Sequence, residues 1–153
     1  MKTLVQTVPE LQVCKSGRRL SLAEVAAAAA ELGPRIDLRI STAGLAVAGP
    51  WVFVSHGLPQ DAHSSFDWEI CRPVTGARAA NSGEVSRLPA LRAACRRFEG
   101  PLSRFFVDGY APLLADIKRN GLALTGESRE VYHDWTGDPE RPAVIEIQFA
   151  LRG

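Results

Sequence analysis

Shifted by 77 residues, the sequence falls on itself: Gly44 to Val74 aligns with Gly121 to Leu151 without a gap. Nine of the 31 aligned positions are identical. GLAVAG at 44–49 meets GLALTG at 121–126, His56 meets His133, Asp61 meets Asp138, and Glu69-Ile70 meets Glu146-Ile147. Neither segment is of low complexity, so composition does not produce the match. A repeat constrains the fold more than any single motif, because both copies must take the same local structure and bury the same face. One copy has too little apolar surface to stand alone. A single domain over 1–153 is therefore expected, made of a first unit at about 1–75 and a second at about 83–153, with Thr75 to Gly83 as the joint between them.

Each half reads in the same order. In the first, a short extended piece, Leu11 to Lys15, precedes Ser21-Leu22-Ala23-Glu24, a capping box in which serine and glutamate satisfy free N–H groups at a helix start. The alanine-rich run to Leu32 has high helix propensity. Gly33-Pro34 is expected to interrupt it, with a second amphipathic stretch continuing to about Thr42. In the second half, Leu91 to Phe98 is the strand and Gly100-Pro101 opens the helical region. Leu113, Leu114 and Ile117 recur there at helical spacing, and Asn120-Gly121 is a C-terminal cap. Pro34 and Pro112 occupy nearly equivalent places, so both halves are expected to break or restart the helix. Trp51 to His56 and Arg129 to His133 are compact strands rich in Val, Tyr, Phe and Trp. Phe66 to Val74 and Ala143 to Leu151 close the two halves, after turn-rich loops at Gly57 to Ser65 and Asp134 to Pro142. The sum is an α+β fold, a tandem duplication of a βαββ unit with an antiparallel sheet.

Composition narrows the function. Lys and Arg number 18 against 17 Asp and Glu, a net charge of +1 with no basic cluster, which leaves no electrostatic footprint for nucleic acid. The N-terminus lacks the apolar core of a signal peptide, and the longest apolar stretch, Val25 to Ala30, is too short for a bilayer, so no membrane partner is expected. Cys14, Cys71 and Cys95 are odd in number and widely spaced, as expected for reduced thiols of a cytoplasmic protein. No metal-ligand cluster, Walker loop or dinucleotide fingerprint is present, so neither a metal nor a cofactor is expected.

Leu88-Pro89-Ala90, Gly100-Pro101, Tyr110, Asn120-Gly121-Leu122, Glu130-Val131-Tyr132, Asp138-Pro139 and Ile145-Glu146-Ile147 follow one another in an order and spacing that resembles the GyrI-like small-molecule-binding family. That family also supplies the effector-binding domain of bacterial multidrug-sensing transcription activators. The first half fits more loosely, through Pro9 and Trp68-Glu69-Ile70-Cys71-Arg72-Pro73-Val74. The resemblance implies pseudo-two-fold symmetry and a ligand cleft on the pseudo-axis. It departs from the activators in two respects. The unit begins almost at Met1, so no DNA reader and no direct DNA binding are expected. Trp51, Phe53 and Ser55 also stand where the family often has a tyrosine-rich wall.

Strand alternation sets which side chains can share the cleft. Glu130 and Tyr132 point one way, and the repeat puts Trp51 and Phe53 on the equivalent face. Glu69 with Cys71, and Glu146 with Gln148, are expected on that face too. Phe66, Trp68, Ile70, Ile145, Ile147 and Phe149 would then form a core face against the helices. The ligand-binding candidates are Trp51, Phe53, Glu69, Tyr110, Glu130, Tyr132, Trp135 and Glu146. Carboxylates among aromatic rings suit a lipophilic, cationic or electrophilic small molecule. A stand-alone binder or sequestering protein for such xenobiotics is the reading adopted. The resemblance implies two rivals. One is a hydrolase of strained cyclopropane-containing compounds, with Glu130, Glu146 or Tyr132 as catalytic candidates; the other is a protein-interaction inhibitor of the gyrase-inhibitor type. Neither the ligand nor the oligomeric state is written in the sequence.

Overall fold

The computed structural model describes residues 2–76, 83–136, 138 and 140–153. Most of the expected joint, 77–82, and Pro139 of the Asp138-Pro139 turn lie outside the described residues. In chain order the elements are β1 (Leu4–Val8), β2 (Leu11–Leu20), α1 (Val25–Thr42), β3 (Ala46–Val47), β4 (Trp51–His56), β5 (Phe66–Thr75), β6 (Ser86–Leu88), β7 (Leu91–Gly100), α2 (Ala111–Arg119), β8 (Leu124–Asp134) and β9 (Ala143–Leu151). The architecture is α+β, and every strand pairing described within a unit is antiparallel.

The chain divides into two compact units, Glu10–Pro89 and Met1–Pro9 with Ala90–Gly153. In the 10–89 unit β5 lies between β4 and β2, with β6 on the far edge of β2 and β3 on β5. In the other unit β9 lies between β8 and β7, with β1 on the far edge of β7. The two orders are the same. They also show why the leading edge strands were not legible: β1 is exposed along most of its length, and β6 is only three residues long. Each is followed by a proline, Pro9 or Pro89, and pairs with the first long strand of the other repeat rather than its own.

Register repeats as well. Glu69 faces Val54 and Ile70 faces Phe53; 77 residues on, Glu146 faces Val131 and Ile147 faces Glu130. Residues directly opposite in an antiparallel pair share a sheet face. Glu130 and Tyr132 therefore lie with Ile147 and Ile145, and Glu146 lies on the reverse side. Likewise Phe53 lies with Ile70, opposite in face to Glu69. This corrects the expectation that Glu69 and Glu146 share a face with Phe53 and Glu130.

The face bearing Glu130 is the one that α2 covers. Leu113 and Ile117 of α2 pack with Ala94, Ile147, Phe149 and Leu151, joined by Phe105, Tyr110, Leu122 and Leu124. Asn120 closes the helix, and Gly121 follows at φ 61°, a left-handed conformation that glycine adopts without a Cβ clash. In the 10–89 unit α1 packs on β2 and β5 through Ala28, Ala29, Leu32, Ile36 and Ile40. Its start keeps the expected chemistry: Glu24 accepts from the Ser21 N–H at 3.0 Å and from the Ser21 hydroxyl at 2.9 Å. Among the described residues no helix is long and apolar enough to cross a membrane.

The break expected at Gly33-Pro34 does not occur. α1 runs unbroken from Val25 to Thr42 with Pro34 inside it. A proline in a helix interior removes one hydrogen bond and crowds the preceding turn, at a cost of about 3 kcal/mol. Burying Leu32, Ile36 and Ile40 contributes roughly 1.5–3 kcal/mol each, enough to carry the helix through. In the second half the helical path does not break either: Pro112 sits in the first turn of α2, where a π-helical segment, Phe105–Tyr110, passes into it with Tyr110 and Ala111 both helical. Pro34 is exposed, so Pro34→Ala should stabilise the protein, by about 1–3 kcal/mol in urea unfolding. A variant of unchanged or lower stability would mean that the ring contributes more than the hydrogen bond it removes.

A candidate carboxylate–phenol site

β8 is the strand that presents Glu130. Its pairing with β9 is irregular on both sides, with register shifts between Leu124 and Ser128 and between Tyr132 and Asp134. Such bulges re-aim side chains and recur beside functional sites. Between them, Glu130 and Tyr132 project from the helix-covered face two residues apart. Tyr110 comes from a different element, the π-helical segment Phe105–Tyr110 that runs into α2. Its ring is held edge-on by Phe105 and Phe149, at centroid distances of 5.2 and 5.9 Å.

The three polar groups converge. The Tyr132 hydroxyl donates to Glu130 Oε1 at 2.5 Å, and the Tyr110 hydroxyl donates to Oε2. All three residues retain some exposure, yet their surroundings are dense enough for burial to dominate their ionisation. Burial pushes the Glu130 carboxyl above the usual carboxylate range, against the two phenol hydrogen bonds that pull it down. Burial, and then the charge of Glu130, pushes Tyr110 and Tyr132 well above the usual phenol range. Both hydroxyls thus stay protonated and donating at neutral pH. Among the described residues no Lys, Arg or His forms an ion pair with Glu130. Trp135 lies next to this group, 39% exposed, its ring 5.4 Å from that of Tyr132.

The other expected site residues have different surroundings. Glu69 is already compensated: Lys15 Nζ lies 2.8 Å from Oε2 and His56 Nε2 lies 3.3 Å from Oε1. Burial alone would raise its carboxyl, but these partners hold it below the usual range. Glu146 accepts from Gln148 Nε2 at 2.5 Å on the reverse face of its sheet. Phe53 is buried edge-on to Trp68 at 5.2 Å, and Trp68 is itself core, as expected of it. Trp51 holds the Arg72 guanidinium 4.5 Å from its ring centroid, so a cation of the protein already occupies one ring face. At the register position of Glu130 the 10–89 unit thus carries Phe53, and at that of Tyr132 it carries Ser55. The backbone pattern repeats, and the carboxylate–phenol chemistry does not. Sequence reasoning grouped Tyr110, Glu130, Tyr132 and Trp135 but missed Phe105 and Phe149 as supports of Tyr110. Their apolar character alone does not distinguish a support from ordinary core.

No family model and no curated protein matches this chain. Solved structures do. The C-terminal domain of EcmrR matches at a TM-score of 0.75 and 22% identity, over 99% of this chain and 97% of that one. EcmrR in its complex with DNA matches at 0.73 and 23%, over 98% of this chain and 57% of that chain, so the present chain spans little more than half of it. SAV2435 bound to tetraphenylphosphonium matches at 0.63 and 12%, over 100% and 95%. A hydrolase from Listeria innocua matches at 0.60 and 13%, over 99% and 92%. At these identities the likeness is one of fold.

Proposed function

We propose that this chain is a GyrI-like small-molecule-binding protein that takes up lipophilic cations, with Glu130 as their counter-charge. The observation that carries this reading is a carboxylate between two phenols with no described cation to pair with it. An ionised carboxylate in such surroundings is poorly solvated, and a ligand cation supplies what the protein withholds. Tyr110, Tyr132 and Trp135 add ring faces, each worth about 0.5–2 kcal/mol to a cation. The fold shared with SAV2435 bound to tetraphenylphosphonium supports the class of ligand.

A second reading, a hydrolase, is favoured by the raised pKa of Glu130. A carboxylate moved toward neutrality can hold and deprotonate a water, while a phenol donates to a developing oxyanion. The fold shared with the hydrolase from Listeria innocua is consistent with it. One experiment separates the two. Titration with tetraphenylphosphonium should quench tryptophan fluorescence saturably, and Trp135→Leu should remove most of the quenching. Incubation of a substoichiometric amount of protein with a strained cyclopropane electrophile should yield no more than one equivalent of product. Absence of saturable quenching and of binding heat would remove the binder reading; product in excess of protein, lost in Glu130→Gln, would make the chain a hydrolase.

A further inference from the structure

Gly109 sits one residue before Tyr110 and is the buried residue of the π-helical segment. A Cβ built on it would lie 3.0 Å from Ile147 Cδ1, 3.2 Å from Phe105 Cδ1 and 3.4 Å from Phe98 Cβ. The first two are unusually tight for a Cβ, so a side chain here requires the segment or its neighbour to give by a few tenths of an ångström. Ile147 is also the cross-strand partner of Glu130. The bare Cα therefore rests on the residue paired with the carboxylate, and the next residue along the chain delivers its hydroxyl to that carboxylate.

Building on the role given above to Glu130, we propose that Gly109 is a positioning residue: its missing side chain sets the π-helical segment against β9 at the depth where Tyr110 reaches Glu130. The i→i+5 hydrogen-bonding pattern of the segment belongs to the same arrangement. Single π-turns are rare in helices and concentrate at functional sites, where they re-aim a side chain. Displacement of the segment by a few tenths of an ångström stretches the Tyr110 bond while leaving that of Tyr132, which is carried on β8 beside Glu130. Gly109 thus controls one of the two donors and not the other. Losing that donor makes the carboxylate harder to ionise, because the bond favours the charged form.

The test reads Glu130 itself. Carboxyl-¹³C glutamate NMR follows its titration, the resonance being assigned by its loss in Glu130→Gln. Gly109→Ala should titrate at higher pH than the wild type, together with Tyr110→Phe. Ile147→Val removes the Cδ1 atom that the new methyl would strike. The double variant Gly109→Ala/Ile147→Val should therefore return toward wild-type titration, and Ile147→Val alone should match the wild type. Affinity for tetraphenylphosphonium at neutral pH should fall several-fold in Gly109→Ala and recover in the double variant. A folded Gly109→Ala with wild-type titration overturns the proposal. Should Gly109→Ala fail to fold, the double variant decides: titration like the wild type supports the proposal, and titration like Tyr110→Phe overturns it. A wild type that binds no tetraphenylphosphonium removes the ligand reading, yet the same titrations still decide the role of Gly109.

Discussion

Glu130→Gln should weaken the binding of tetraphenylphosphonium by about 10- to 100-fold, the loss expected when a charged partner is removed from a partly buried contact. The substitution keeps the shape of the side chain and an oxygen to accept from Tyr110 or Tyr132, so the packing around Phe105 and Phe149 should persist. What disappears is the charge. Glu69→Gln makes the control, because Lys15 already neutralises that carboxylate and His56 lies within hydrogen-bond distance of its other oxygen; its effect on affinity should be small. Wild-type affinity should also fall as pH drops through the raised pKa of Glu130, and this dependence should vanish in the variant. Calorimetry below that midpoint should register a proton released as the cation binds. Equal affinity in Glu130→Gln and wild type would place the cation elsewhere.

The same substitution should change stability with a definite pH dependence. The folded state holds the Glu130 proton more tightly than the unfolded chain, since burial raises its carboxyl. The stability this group contributes is therefore fully present at acid pH. It is lost as pH rises from the ordinary carboxylate range through the raised folded value. Glutamine never ionises. Glu130→Gln should thus gain on the wild type as pH rises, by about 1.4 kcal/mol for each unit by which the carboxyl is raised, and then level off. Glu69 has the opposite sign, since its lowered carboxyl contributes stability that is lost as pH falls. It cancels when variant and wild type are compared at each pH. Thermal unfolding across the acid to neutral range measures the difference; a flat gap would show Glu130 to be ordinarily solvated, and a gap widening toward acid would show its charge to be stabilised by the fold. Saturating tetraphenylphosphonium should stabilise the wild type at neutral pH and do little for the variant. Cation binding and destabilisation then have one origin, a carboxylate held where water serves it poorly.

Much of this was written in the sequence. Strand composition and the turn-rich loops placed β4 at Trp51–His56 and β9 at Ala143–Leu151, and these bounds hold in the structure. The Ser21–Glu24 cap and the Asn120-Gly121 helix end were legible because capping is local: the donors and acceptors lie within four residues of one another. The types of residue at the candidate site were legible for a related reason, since a Glu two residues before a Tyr on a strand must share its face.

Tertiary structure decided the rest, wherever the outcome depended on segments distant in the chain. Alternation within β8 relates Glu130 to Tyr132, but it cannot relate Glu130 to Glu146. That relation passes through the connection between β8 and β9 and a register with a shift in it, and a slip of one residue reverses every side chain. The carboxylates assigned to one face consequently lie on two. Pro34 reads locally as a break, and only the burial of Leu32, Ile36 and Ile40 shows the helix continuing past it. Glu69 and Glu130 look alike as letters in a strand; Lys15, from β2, neutralises one, and two phenols from β8 and the π-helical segment hold the other, with no cation among the described residues paired to it. The sequence by itself determined the inventory of strands, caps and side chains. Only the fold decided which carboxylate received a lysine and which received two phenols, because electrostatic environment is set by neighbours in space.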